Sequence, residues 1–260
     1  MLPHIVFRHN DPDYFPGPAI WNTNTKPPTS GHSQPPVLAS IVWRFVQTGT
    51  EYDKQNALEV FSKLMAYHRW FINARDPDNR GVISIVHPWE SGRDNCPDWD
   101  IGMQNIVIPG NLKRYSRRDT HHVDSKQRPT QEQYDRFITI VDFGRKCNWD
   151  SQIIYADGPF LMADPGVQFI FLRASRDLLA MALHLEIDSA VGEIRGWIEQ
   201  VEAGSEFLWN DVVGGYCARD LRTGQFSDAI TNASTLSFFA DVGSLEQRKS
   251  MEGHCRRILN

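Results

Sequence analysis

Residues 53–74, with the sequence DKQNALEVFSKLMAYHRWFINA, decide the fold class of this chain. Apolar side chains recur there at intervals of three and four, the spacing that places them on one face of an α-helix. The stripe consists of Ala57, Val60, Phe61, Leu64, Tyr67 and Phe71. Because most of the charged residues lie off this stripe, we predict a long amphipathic helix with one buried face.

Helical patterns also flank this stretch on both sides. Before it, the same spacing joins four apolar residues and a glycine placed to end a helix, namely Leu38, Ile41, Val42, Phe45 and Gly49. The short turn that follows makes an antiparallel pair of helices. After it, we predict helices at 131–146, from Asp164-Pro165 onward and at 189–209, the first with Thr130 as N-cap and Gln133 three residues further on.

Extended structure is predicted at two places only. The β-branched run 81–86 is one, and the other is a small hairpin, 212–216 with 217–221, around Gly214-Gly215. Residues 1–36 contain most of the prolines, so we expect an ordered irregular segment able to line a cleft. The chain is therefore placed in the all-α class with short β elements.

The composition narrows the class of protein further. With 260 residues, 41% hydrophobic and 23% charged, the chain is typical of a globular protein with a sizeable core. The 27 basic residues against 32 acidic residues give a net charge of −5, which argues against a nucleic-acid partner. The longest apolar runs are interrupted by polar residues, so we expect no membrane-spanning segment and no membrane partner.

Cysteine usage and the first residues indicate the compartment. Cys96, Cys147, Cys217 and Cys255 lie far apart without a C-x-x-C pair, which argues against a zinc site and against a disulfide scaffold. The start of the chain, residues 1–4, lacks the charged and apolar regions of a secretory signal, so a cytoplasmic location is expected. No cofactor is predicted.

The segment HPWESGRDNCPDWD, residues 87–100, carries the candidate chemistry. It places four carboxylates around two indoles, namely Glu90, Asp94, Asp98 and Asp100 with Trp89 and Trp99. An indole stacks on the apolar face of a sugar ring, and a carboxyl group against such a wall can keep its proton near neutral pH. A proton donor beside a bound sugar is what glycosidic cleavage requires, so the segment predicts a glycoside hydrolase.

The two acids nearest each other do not form a catalytic pair. Inverting hydrolysis requires carboxyl groups ~6.5–9.5 Å apart, whereas Glu90 and Asp94 on one helix would stand only ~5–6 Å apart at Cβ. We expect Glu90 to accept a hydrogen bond from a sugar hydroxyl or to be a structural anchor. Gln34 is a candidate for sugar hydroxyls, and Trp21 and Trp89 for stacking, with core packing an equal alternative for both tryptophans.

The neighbouring acids and one serine-containing motif are not predicted to be catalytic or to bind calcium. Turn geometry around Pro97 and helix capping explain Asp98 and Asp100, and the segment 94–100 lacks the ligand spacing of an EF-hand. The sequence GHSQP, residues 31–35, resembles a nucleophile elbow, but Pro35 replaces its second glycine and no strand precedes it.

Two further motifs are predicted to lie at the surface. The pair His121-His122 suggests a metal, but adjacent side chains diverge, so it is interpreted as polar surface and no metal ligand is predicted. The basic stretch Lys113–Arg118, which includes Tyr115, is interpreted as a solvated face.

A family resemblance rests on several segments together: TSGHSQPP at 29–36, WESGRDN at 89–95, Pro97 with Trp99, and Tyr216 with DLRTG at 220–224. Over nearly the whole chain they resemble the catalytic domain shared by glycoside hydrolase family 63 and the mannosylglycerate hydrolase-like enzymes, with the trehalases more distant. Cys96 stands where such domains more often have serine.

The resemblance implies an all-α (α/α) toroid of six helical hairpins and an inverting mechanism. Asp94 is then the catalytic general acid that cleaves an α-glycosidic bond, and a glutamate far downstream is the general base. The substrate is an oligosaccharide or a small α-glycoside, with its sugar and linkage left open. We expect seven substrate-binding residues, namely Trp21, Gln34, Trp89, Glu90, Gly92, Asn95 and Trp99.

The resemblance also implies that the domain is incomplete. In similar enzymes the glutamate follows a tryptophan-rich segment near the C-terminal end of a longer domain, and this sequence lacks that segment. Residues 1–260 are therefore expected to be a single partial toroid, the N-terminal portion, whose exposed apolar helix faces favour self-association. The alternative is a truncated carbohydrate-binding remnant without catalysis.

Overall fold

The computed structural model describes residues 1–9, 14–120 and 123–259. Within these ranges the α-helices are α1 (Pro18–Trp21), α2 (Leu38–Thr48), α3 (Glu51–Arg75), α4 (Asp100–Met103), α5 (Gln131–Lys146), α6 (Ser151–Asp157), α7 (Pro165–His184), α8 (Asp188–Gly204), α9 (Asn232–Ala240) and α10 (Leu245–Leu259). The all-α class is confirmed.

In the part of the chain that the structure describes, five strands of two residues each form two small antiparallel sheets. Strands β1 (Ser84–Ile85), β2 (Met162–Ala163) and β5 (Arg219–Asp220) form one sheet in the order β1-β2-β5. Strands β3 (Trp209–Asn210) and β4 (Gly215–Tyr216) form the other. The extended run predicted at 81–86 contains β1.

The predicted helix starts are confirmed by their caps. The stretch 53–74 lies within α3. Thr130 accepts a hydrogen bond from the amide of Gln133, whose side chain reaches back to the amide of Thr130. At the start of α7 the Asp164 carboxylate accepts from the amides of Gly166 at 2.9 Å and Val167 at 3.2 Å. These caps satisfy amides that the helix itself leaves without partners.

Two predicted boundaries after α7 are wrong. The helix predicted over 189–209 ends at Gly204 and continues as a 3-10 turn over Ser205–Leu208. Glycine is required at 204, because a Cβ atom there would lie 2.0 Å from the Gly81 carbonyl oxygen. The predicted hairpin 212–221 does not form either. Residues 215–216 pair instead with 209–210, and the buried run that follows carries 219–220 to β2.

The apolar stripe of α2 faces solvent in part. Packing against α7 is made by the small residue Ala39 and by Val46, while Leu38, Ile41 and Phe45 are 38%, 46% and 59% exposed. Ala39 lets the two helices approach closely at one point, while the larger ring of Trp43 packs against His184 of α7 with ring centroids 5.7 Å apart. The prediction of exposed apolar helix faces is confirmed for this helix.

The core is organised around α7, which packs against α2, α8 and α9. Phe169, Phe171 and Leu172 on α7 are fully buried, and each such side chain stabilises the fold by ~1.5–3 kcal/mol relative to exposure. The same helix carries Asp164 at its start, close to the segment 87–100. The core therefore fixes the end of the molecule where the candidate site lies.

The four cysteines are free. Along the described ranges, no helix combines the length and the apolar character needed to cross a bilayer.

Candidate active site

The backbone around residues 87–94 presents Asp94 outside any helix. After β1, the ring of His87 accepts a hydrogen bond from the amide of Trp89 at 3.0 Å and starts a 3-10 turn over Pro88–Ser91. Gly92 ends that turn with a φ of +71°, a left-handed conformation that costs glycine little. The reversal at Gly92 separates Glu90 from Asp94, so the two acids do not share one helical face.

Asp94 lies where two cavities adjoin. One, of about 340 Å³, is called the Trp99 cavity, and the other, of about 260 Å³, is called the Trp89 cavity. The Trp99 cavity includes Asp94, Asn95, Cys96, Trp99, Asp100 and Arg128. The Trp89 cavity includes His4, Tyr14, Trp21, Gln34, Trp89, Asp94, Asp119, Arg128 and Tyr134. The proline-rich segment 1–36 thus lines a cleft, as predicted.

The electrostatic environment of Asp94 favours its protonated form. Burial raises the pKa of this half-buried carboxyl above its ordinary value of 3.8, while the nearby Arg128 guanidinium acts in the opposite direction. A raised pKa is what a proton donor requires, since the group must still hold its proton when the substrate binds.

The three indoles around Asp94 have different exposures. Trp21 is fully buried, donates from Nε1 to the carbonyl of Pro16 at 3.0 Å, and packs against Trp89 with ring centroids 5.9 Å apart. Trp99 is 2% exposed and donates from Nε1 to the carbonyl of Arg93 at 2.9 Å. These contacts match the core-packing alternative for Trp21 and a wall position for Trp99. Half-buried Trp89 has the most accessible ring of the three.

Gln34 is fixed against the turn that carries Trp89. Its Nε2 donates to the Trp89 carbonyl at 2.8 Å, and a Cβ atom added at Gly92 would lie 3.4 Å from its Oε1. The Gln34 amide therefore borders Gly92 with an oxygen able to accept from a ligand hydroxyl. Asn95, one residue beyond Asp94, is exposed at the rim of the Trp99 cavity.

Glu90 lies behind the cleft and lines neither cavity. Its buried carboxylate pairs with Arg75 at 2.6 Å and also accepts from the amides of Ser33 at 3.1 Å and Val86 at 3.1 Å. These are all protein groups, so of the two expected roles the contacts match the structural anchor. The anchor holds the segment around Ser33 against the turn 88–91.

Helix capping does not explain Asp98, contrary to the prediction. Its side chain is fully buried, lies 3.2 Å from Arg93, and accepts from the Thr231 hydroxyl at 3.2 Å. Asp100 does begin a helix, α4, and is exposed. Cys96 accepts a hydrogen bond at Sγ from Arg93 at 3.1 Å.

Arg128 and Asp119 are cavity residues that the sequence did not indicate. The Asp119 carboxylate accepts from Arg117 at 2.6 Å and from Arg128 at 3.0 Å, and the Arg117 guanidinium lies 4.5 Å from the ring centroid of Tyr134. The solvated-face interpretation is therefore wrong for Arg117, although Lys113 and Arg114 are exposed. Oppositely charged residues within one loop, here Arg117, Asp119 and Arg128, are the sequence signal for ion pairs that hold the loop in place.

The predicted surface pair His121-His122 lies outside the described residues. In the described part of the chain, no group of three or more His, Cys, Asp or Glu side chains is arranged to hold a metal ion.

Comparison with known proteins gives a consistent result. The family model described as mannosylglycerate hydrolase MGH1-like glycoside hydrolase domain matches residues 1–259. A mannosylglycerate hydrolase from Thermus thermophilus is 42% identical over 244 residues, which are 92% of this chain and 58% of that protein. Mannosylglycerate hydrolase MGH1 from Selaginella moellendorffii is 39% identical over 265 residues, with 100% and 54% covered.

Solved structures agree with these relatives. A GH63 mannosylglycerate hydrolase from Thermus thermophilus in complex with Tris superimposes with a TM-score of 0.94 at 39% identity, covering 99% of this chain and 61% of that one. The same enzyme in complex with Tris and D-glycerate gives a TM-score of 0.91 at 40% identity, with 97% and 60% covered. The chain spans less than two thirds of the length of each of these proteins.

Proposed function

The chain belongs to the mannosylglycerate hydrolase MGH1-like glycoside hydrolase family, and from that membership we propose that it is the N-terminal portion of an inverting α-glycosidase in which Asp94 is the general acid. Residues 1–260 then form one partial toroid domain. The observation that carries this proposal is a half-buried carboxyl group with a raised pKa at the junction of two cavities that contain indole rings.

Asp94 would act on the oxygen that joins sugar and aglycone. As the bond from C1 to that oxygen breaks, the Asp94 carboxyl gives its proton to the oxygen, and positive charge develops on the sugar ring. The face of Trp89 is placed to stack against the sugar, and Gln34 to bond its hydroxyls. In this geometry the glycosidic oxygen lies at Asp94 and the two halves of the substrate occupy the two cavities.

Arg128 supports an anionic aglycone. It lines both cavities, and a hydrogen bond to Asp119 orients its side chain. A guanidinium held in this way is suited to a carboxylate, and relatives are named for mannosylglycerate, which carries one. We therefore propose an α-glycoside of glycerate as the substrate class.

The general base is assigned to no described residue. Among those lining the two cavities, the other carboxylates are Asp100 and Asp119. Although partial burial acts against it, hydrogen bonds from Arg117 and Arg128 lower the pKa of Asp119, which makes it a weak base. We propose that the base lies on chain beyond these 260 residues, as the resemblance implies.

The proposal is tested with D94N and the matched surface variant D157N, since Asp157 is an exposed acid at the end of α6. Each is assayed with azide, which attacks C1 directly and needs no base, on mannosylglycerate and on the α-mannosyl fluoride, whose leaving group needs no proton. D94N should lose turnover of mannosylglycerate by ~10²–10⁴-fold and keep most of its turnover of the fluoride, while D157N resembles the parent chain. Undiminished turnover of mannosylglycerate by D94N would remove Asp94 from the reaction.

A second candidate is a carbohydrate-binding remnant without catalysis. It is favoured because the carboxylates of Glu90 and Asp119 are already paired with arginines. Neither is then assigned as the base that would activate an attacking water on the side of the sugar opposite Asp94. Azide distinguishes the two, because it attacks C1 directly and needs no base. Formation of a glycosyl azide that depends on Asp94 supports a hydrolase lacking its base, whereas sugar binding without any azide product supports the remnant.

We also propose self-association through α2. Leu38, Ile41 and Phe45 of this helix are exposed, and Leu38 also lines a groove of about 490 Å³ that includes Met1, Leu2, Val42, Val60 and Leu64. Apolar surfaces of this kind favour association. Light scattering should show oligomers that the double variant I41N/F45S reduces and the control V212S leaves unchanged. Monomeric behaviour of the parent chain would contradict this.

A further inference from the structure

Arg93, immediately before Asp94, makes a set of buried contacts that the proposed chemistry does not use. Its side chain is 13% exposed. Nη2 donates to the Asp164 carboxylate at 2.8 Å, and Nη1 lies 3.2 Å from the Asp98 carboxylate and 3.3 Å from the Thr231 hydroxyl. One guanidinium thus contacts three side chains as well as Cys96.

These partners come from distant parts of the chain. Asp164 caps α7 through the amides at its start, and Thr231 is the N-cap of α9. Thr231 also donates to Asp98, which closes a ring of contacts. The segment that carries Asp94 is therefore joined to the first turns of two core helices through one side chain.

The backbone of Arg93 is fixed as well as its side chain. Its carbonyl accepts from Trp99 Nε1 at 2.9 Å, its amide donates to the Ser91 hydroxyl at 2.9 Å, and its guanidinium lies 5.0 Å from the ring centroid of Trp99. Because amide, carbonyl and side chain are all held, the peptide that leads into Asp94 has little freedom to rotate.

The charges explain why an arginine is needed here. Asp98 and Asp164 are both fully buried and share this one cation. The planar fork of arginine can contact two carboxylates at once, whereas the single ammonium of lysine cannot reproduce that geometry. Without the guanidinium, two buried carboxylates would lack their cation, and the peptide that leads into Asp94 would lose its side-chain anchor.

We propose that Arg93 is a positioning residue, whose buried fork to Asp98, Asp164 and Thr231 holds Asp94 at the junction of the two cavities. The inference rests on the proposed function, because it assumes that Asp94 protonates the leaving oxygen. Transfer of this proton then depends on contacts among Arg93, Asp98, Asp164 and Thr231, side chains that are proposed to act through the position of Asp94 and not by touching the substrate.

The leaving group separates positioning from general stability. R93K and R93M are compared with R69K and R69M, since the pair Arg69–Glu193 lies at the surface with side chains 50% and 36% exposed. All are assayed with azide on mannosylglycerate, which needs the proton, and on the α-mannosyl fluoride, which does not. We expect R93K and R93M to lower kcat for mannosylglycerate by ~10²-fold or more, with KM and fluoride turnover changed by less than about threefold.

Equal losses on both substrates would overturn the inference, because a misfolded site slows the two alike. If the Arg93 variants unfold, T231V removes one contact and should show the same selectivity to a smaller degree; equal slowing by T231V also overturns it. Failure of the proposed function is seen separately, as no turnover of either substrate by the parent chain.

In that case the Asp94 carboxyl is titrated by carbon NMR. The groups that face it are Arg128, Tyr14 and Asp119. In R93K the pKa of Asp94 should move toward its ordinary value, because a released carboxyl turns to solvent, whereas R69K should leave it unchanged. An unaltered Asp94 pKa in R93K would contradict a positioning role.

Discussion

Removing Arg75 tests whether Glu90 is an anchor of the fold or a ligand for sugar. The R75M variant takes away the cation that pairs with Glu90 while both side chains are only 3% and 4% exposed. The amides of Ser33 and Val86 then remain as partners of the carboxylate. A buried charge that has lost its pair typically destabilises a fold by ~3–5 kcal/mol.

The expected loss is large enough to measure by urea unfolding. It corresponds to a fall in Tm of ~6–20 °C at the ~2–4 °C per kcal/mol usual for chains of this size. Replacing both partners with apolar residues, R75M/E90L, should recover part of the loss, because no unpaired charge remains, whereas the buried amides of Ser33 and Val86 lose their acceptor. The surface variant R69M should cost less than ~1 kcal/mol, since exposed pairs contribute little.

Sugar binding provides the second readout of the same variants. If Glu90 is an anchor, R75M/E90L should bind sugar nearly as well as the parent chain once it is folded. An R75M chain as stable as R69M would contradict the anchor, and a folded R75M/E90L chain that loses sugar binding altogether would require a direct role of Glu90.

Three further predictions concern the cleft. Burial raises the pKa of Asp94 above its ordinary 3.8, so the folded chain holds this proton more tightly than the unfolded chain, and the resulting stabilisation is lost as the pH rises through the folded-state pKa. D94N should therefore gain stability relative to the parent chain across this pH range, measured by urea unfolding at several pH values. A difference in stability that does not change with pH would argue against the shift. With azide as the nucleophile, R128Q should raise KM for mannosylglycerate but not for the uncharged methyl α-mannoside; equal changes would show that Arg128 does not recognise the carboxylate. W99A should lose ~3–5 kcal/mol of stability as a buried indole does, whereas W89A should lose mainly sugar affinity measured by calorimetry, and the reverse pattern would contradict the assignment of the two rings.

The sequence predicts those elements whose signals are local. Helix α5 begins where Thr130 and Gln133 form a capping box, and α7 begins where Asp164 precedes a proline, because the cap and the residues it serves are neighbours in sequence. The hairpin at 212–221 fails because Gly214-Gly215 marks a turn without specifying which segments pair across it. That choice depends on β2, a strand from a distant part of the chain.

The same distinction holds for the site. The segment 87–100 carries its aromatic and acidic signal within itself, and the structure brings Asp94, Trp89, Trp21 and Gln34 to one cavity. The partners of Glu90 and Asp98 could not be read in this way, since Arg75 and Thr231 reach them through tertiary contacts. The role of Arg128 could not be predicted from the sequence for the same reason, because its position in the cleft depends on the path of the loop before α5.

The most direct measurement is the structure of the D94N chain with intact mannosylglycerate bound. We expect the sugar to lie against Trp89 and the glycosidic oxygen to lie ~2.6–3.2 Å from the carboxamide at position 94. A glycoside bound away from that side chain, or a carboxamide turned toward solvent with the glycosidic oxygen beyond hydrogen-bond reach, would contradict it.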